Sequence, residues 1–84
     1  MNVREAREEA GFSRAALVGR AIIAATVAPD STVSLATVKR AEQGDPTVSK
    51  SKRAMILWII NQRRLELGVV TLGMQDIEWE RKVS

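Results

Sequence analysis

With 84 residues and a net charge of +3, the chain has room for one domain and a single modest core. It contains no Cys, His or Tyr, which excludes thiolate and imidazole chemistry, disulfides and zinc fingers. The remaining Ser, Thr, Lys and carboxylate residues form no catalytic pairing, so no enzyme activity, metal, cofactor or small-molecule ligand is expected.

The first predicted helix spans 3–10, with Val3, Ala6 and Ala10 on one face and Gly11 as its stop. Ser13 then caps a second helix whose Leu17, Val18 and Ala21 face inward. Phe12, just before that cap, staples the helix entry to the core. Residues 22–32 are ambiguous. Their first half either prolongs the second helix or forms a short strand, and Pro29-Asp30-Ser31 reads as a turn.

Ser34 caps the next helix and Gly44 ends it. Val38 and Ala41 share its inner face, onto which Val33 folds. Leu35, Ala36, Lys39, Arg40 and Gln43 are left pointing elsewhere. Such a mixture of cations, an amide and small apolar groups binds phosphates, purine edges and thymine methyls. A short solvated helix with ordinary surface charges is the competing reading. Lys39 and Arg40 are the best DNA contacts. Ser34, Leu35, Ala36 and Thr37 lie at the amino end, which enters the groove first, although Thr37 is equally a packing residue.

Asp45-Pro46 makes a turn, and Ser49 caps a long final helix over about 50–67, stopped by Gly68. Gln43, Thr47 and Ser49 are either phosphate donors or plain caps. Lys50, Lys52 and Arg53 crowd the first turn of the final helix, where cations oppose the helix dipole. A nearby phosphate would relieve that conflict, so Lys50 and Lys52 join the candidate contacts. The run 55–60 is the longest strongly apolar stretch, well short of the roughly 20 residues of a membrane helix. Residues 1–5 hold no signal-peptide core, and the expected location is the cytoplasm, at the nucleoid when DNA is bound.

That run is also too apolar for one stripe, so Met55, Trp58 or Ile59 needs a further partner, either the carboxy-terminal arm or a second subunit. After Gly68 the period changes. Val69-Val70-Thr71-Leu72 is β-branched and apolar, 73–76 can turn, and 77–80 alternates apolar and charged. The predicted fold is thus mainly α: four to five short helices around a helix-turn-helix in one domain, with 69–84 as a β-hairpin or extended arm. Up to Arg64 there are eleven Lys and Arg against six Asp and Glu, and from Leu65 two against four. A basic body suits a polyanion, and a mildly acidic tail suits protein or solvent.

Two blocks resemble the Cro/Xre-type helix-turn-helix regulators of bacteria and their phages. The first runs from Arg7 through Gly11-Phe12-Ser13 to Leu17-Val18 and Ala21. The second runs from Val33 to the Lys39-Arg40-Ala41-Glu42-Gln43-Gly44 ending of the recognition helix. Residues 48–69 are similar to the fourth helix and strand of a branch of that family. The resemblance implies a structural ion pair between Arg7 and Glu42. It also implies a small dimeric regulator of transcription, a Cro-like autoregulatory repressor or repressor/activator switch of a prophage or conjugative element. Its partner would be a double-stranded operator with paired half-sites. The expected dimer interface is Trp58, Ile59, Val69, Leu72, Ile77 and Trp79. One departure stands out: the family joins helix two to the recognition helix through about four residues, whereas here 22–32 intervene. The alternative function is a protein-interaction module on the same scaffold, an antitoxin or antiactivator that does not itself bind DNA.

Overall fold

The computed structural model describes residues 1–25 and 32–80. Four helices carry the regular structure: α1 (Val3–Glu9), α2 (Arg14–Ala25), α3 (Leu35–Glu42) and α4 (Lys50–Glu66), followed by one 3-10 turn at Met74–Asp76. The fold is mainly α, as the sequence indicates. No described helix is long and apolar enough to cross a membrane.

Local chemistry sets the helix ends. Ser13, Ser34 and Ser49 each accept a hydrogen bond from the backbone N–H three residues on, at 3.1, 3.2 and 3.3 Å. Asn2 and Glu5 form a reciprocal capping box at the start of α1. α1, α3 and α4 close in the same way. Gly11, Gly44 and Gly68 adopt φ of 79°, 76° and 71°, a left-handed backbone that a Cβ would strain. The next N–H then reaches back to the third-last carbonyl of the helix: Phe12 to Arg7, Asp45 to Arg40, Val69 to Arg64.

α4 is the core element. Ile56, Leu57, Ile59 and Ile60 are buried in one cluster with Leu17 and Ala21 of α2, Val38 and Ala41 of α3, and Val3 and Ala6 of α1. Phe12, Val33, Val48 and Ile77 seal its edges. α2 remains helical to Ala25, so the helix-extension alternative holds as far as the described residues go. The Pro29-Asp30-Ser31 turn expected further on lies outside them.

The described part of the carboxy-terminal segment, 69–80, packs back on the helices around the 3-10 turn at Met74–Asp76. The only β pairing among the described residues is a parallel bridge between Asn2 and Glu78, with the Glu78 N–H donating to the Met1 carbonyl at 2.8 Å. No hairpin ladder forms there because α4 side chains hold the backbone instead. Asn61 exchanges two 2.8 Å hydrogen bonds with the N–H and C=O of Leu72. The Arg64 Nε–H donates to the Val70 carbonyl at 2.6 Å. Beyond the 3-10 turn, Ile77 enters the core and Trp79 packs on it, its indole N–H donating to the Met74 carbonyl. Residues 81–84 of the expected arm lie outside the described residues.

Candidate nucleic-acid interface

The interface begins with how α3 is held. Val38 and Ala41 anchor its inner face, and Thr37 is buried beside them. Thr37 was an expected DNA contact, and the structure corrects this. Its hydroxyl lies 3.0 Å from the Ser34 hydroxyl inside the cap, so it packs and braces the helix start. Ser34 is exposed but already accepts the Thr37 N–H. Leu35, Ala36, Lys39, Arg40 and Gln43 all lie on the exposed side of the helix, as the spacing requires.

An ionic tie fixes the angle of α3. Arg7 of α1 donates from Nε to Glu42 Oε1 at 2.8 Å, with the two side chains 9% and 5% exposed. The same guanidinium donates to the Phe12 carbonyl at 2.7 Å. The Arg7–Glu42 pair implied by the resemblance is therefore present, and it is buried. The other Glu42 oxygen accepts from Arg14 Nε, at the first position of α2.

Arg14 is a residue the sequence reading missed. Its side chain is 40% exposed, and with Asn2, Arg4, Lys39 and Gln43 it rims a cleft of about 340 Å³ floored by Glu42. Arg4 and Arg14 thus border the exposed face of α3 on the α1 and α2 side. The signal available in the sequence was that Glu42 has two carboxylate oxygens, and Arg7 fills only one.

On the other flank, the loop after α3 is less suited to phosphate than expected. The Thr47 hydroxyl and N–H both donate to Asp45 Oδ1, at 2.6 and 2.8 Å. These bonds hold the Asp45 carboxyl below its ordinary pKa, so Thr47 braces a turn that carries a negative charge. Ser49 serves as the α4 cap. Lys50 is exposed and Lys52 half-exposed at the start of α4. Arg53 is turned inward: it lies 5.8 Å from the Trp79 ring centroid and within 3.5 Å of Glu80 Oε1, latching the arm to α4.

The residues expected at a dimer interface separate into two groups. Ile59 (1% exposed) and Ile77 (6%) lie inside the monomer's core, where no partner reaches them. This corrects their assignment. Alternation alone could not tell that Ile77 turns inward. Leu72 and Trp79 are half-buried against the core. Trp58 (52%) and Val69 (41%) remain exposed. Trp58 borders a shallow groove between α2 and α4, closed at one side by an Arg20–Glu66 ion pair at 3.0 Å.

No family model, curated protein or solved structure matches the chain.

Proposed function

We propose that the chain is a sequence-specific DNA-binding regulator of transcription, of Cro-like size, acting as a dimer on paired operator half-sites. The observation that carries this reading is the division of labour on α3. Its inner face and the Glu42 tie are fully engaged, while Leu35, Ala36, Lys39, Arg40 and Gln43 form one free face. In this reading Arg40, Lys39 and Gln43 meet base edges in the major groove, and Leu35 and Ala36 meet thymine methyls. Arg14, Lys50 and Lys52 flank the face and take phosphates, which set register rather than sequence. In this reading, occupancy follows the protein's own concentration through dimerisation. That suits an autoregulatory switch of a prophage or conjugative element working in the cytoplasm.

Fluorescence anisotropy with labelled duplexes from upstream of the chain's own gene tests the proposal. Saturable binding that weakens steeply with salt supports it. Absence of binding to every duplex overturns it and favours the second reading, a protein-interaction module. That reading rests on the apolar surface away from α3, where Ile22 is 64% and Trp58 52% exposed.

A further inference from the structure

We infer that two copies of this chain pair through the outer face of α4, antiparallel, about a two-fold axis at Trp58. This names the surface of the proposed dimer and rests on that reading for the existence of a second copy.

The inference starts from where α4 keeps its charges. Lys50, Lys52 and Arg53 stand in the first turn and Arg63, Arg64 and Glu66 in the last, and none lies from Ala54 to Gln62. The inner side of that stretch is the monomer's core. Its outer side is equally uncharged. Ser51, Ala54, Trp58 and Leu65 are exposed and Gln62 is half-buried. At 100° per residue, these five fall within about 80° around the helix. A helix face that meets only water ordinarily carries its charged residues there. Here it carries an indole 52% exposed and a leucine 59% exposed, at the spacings of three and four that make a helix–helix seam.

The segment after α4 offers no competing strand edge. The Val69 N–H donates to the Arg64 carbonyl and the Gly73 N–H to Asp76, while Asn61 takes both backbone groups of Leu72.

The change of side-chain size along the seam identifies the occupant as a second copy. The face is small in its first half, Ser51 and Ala54, and large in its second, Gln62 and Leu65, with Trp58 between. An antiparallel copy sets small against large on both sides of the axis: Ser51 opposite Leu65 of the other copy, Ala54 opposite its Gln62. A parallel copy would set leucine on leucine at one end and leave a void between serines at the other. The antiparallel order also places the two helix dipoles head to tail. It brings Glu66 level with the first turn of the other copy, where Lys50 and Lys52 stand with no acidic residue. Each indole covers the groove that the other copy opens between α2 and α4, walled by Ala24 and Ile59. The seam from Ser51 to Leu65 is about 21 Å long. It falls below the roughly 1,200 Å² of a standard interface, so association is weak, and paired half-sites on one duplex reinforce it.

The chain lacks cysteine, so introduced thiols report the register without background. Ser51→Cys and Leu65→Cys both change exposed positions. Across the axis the two copies of either position lie about 21 Å apart, beyond disulfide reach, whereas Ser51 of one copy stands beside Leu65 of the other. Under mild oxidation without DNA, a mixture of the two variants should give a covalent dimer, while each variant alone should stay monomeric on denaturing gels. As a further variant, Ala54→Glu buries a charge in the seam from an exposed helical position. It should weaken self-association about tenfold or more in sedimentation, with the Tm of the dilute protein unchanged.

Cross-linking of each variant alone overturns the antiparallel register. A chain that dimerises in sedimentation, with no cross-link in the mixture and no effect of Ala54→Glu, overturns the seam and leaves the dimer. A chain that sediments as a monomer at every concentration overturns both the seam and the dimeric form of the regulator. A mixture that cross-links in a protein that binds no DNA supports the seam while defeating the DNA-binding reading.

Discussion

Replacing Glu42 with alanine should damage the fold before it affects any DNA contact. The substitution leaves the Arg7 guanidinium, 9% exposed, without its counter-charge. Arg7 keeps the Phe12 carbonyl and a distant Glu8 oxygen at 3.8 Å, and neither replaces a buried carboxylate. Breaking one side of a buried pair costs about 3–5 kcal/mol. Arg14, 40% exposed, returns to water at little cost, which places Glu42→Ala near the lower end, about 3 kcal/mol. For a domain of this size that corresponds to a fall of about 12–24 °C in Tm, a large share of a typical 5–15 kcal/mol total. Far-UV circular dichroism during heating, with urea titration alongside, reads the loss in the free protein. The double variant Arg7→Met/Glu42→Leu removes both charges and fills the space. It should therefore be more stable than Glu42→Ala alone, the signature of a coupled pair. If Glu42→Ala melts with the parent, or if the two sites prove additive, the reasoning is wrong.

Further outcomes follow from other contacts. Asn61→Ala removes both hydrogen bonds to Leu72 and should cost about 1–3 kcal/mol in urea denaturation, with faster proteolysis between Gly68 and Gly73. Arg40→Ala and Lys39→Ala should leave Tm unchanged, since both side chains are exposed, while weakening operator binding. If either reads a base, the cost is about 1–3 kcal/mol and preference relaxes at one operator position. The Glu66 carboxyl is held below its ordinary pKa by hydrogen bonds from Arg20 and Arg63, and that of Asp45 by Thr47. A folded pKa below the unfolded one stabilises at neutral pH, and that contribution disappears as pH falls through the folded value. Stability should therefore drop on acidification below the ordinary carboxylate range, and Glu66→Gln should flatten part of that drop in pH-dependent melts.

The helices were legible because their signals are local. Ser13, Ser34 and Ser49 cap within three residues, and the glycines at 11, 44 and 68 supply a backbone conformation that other residues resist. The exposed face of α3 was legible because Val38 and Ala41 fix its inner side. Thr37 was ambiguous for a physical reason: a hydroxyl suits a cap network as well as a phosphate. The arm was only half legible. Alternation over 77–80 marks an apolar side but not what covers it, and the clamps that replace a hairpin come from Asn61 and Arg64, side chains on another element. Arg14 escaped notice because its role depends on Glu42, distant in sequence and 5% exposed.

Salt-dependent DNA binding is the most direct test of the central claim. Anisotropy titrations of the parent chain and of Lys39→Ala/Arg40→Ala, on one duplex from the chain's own locus across a range of salt concentrations, give the slope of log affinity against log salt. The expected parent slope is about −0.9 for each phosphate neutralised, with much weaker binding by the folded double variant. A flat salt response, or a double variant that binds as tightly as the parent, would contradict the reading of α3 as the element that meets DNA.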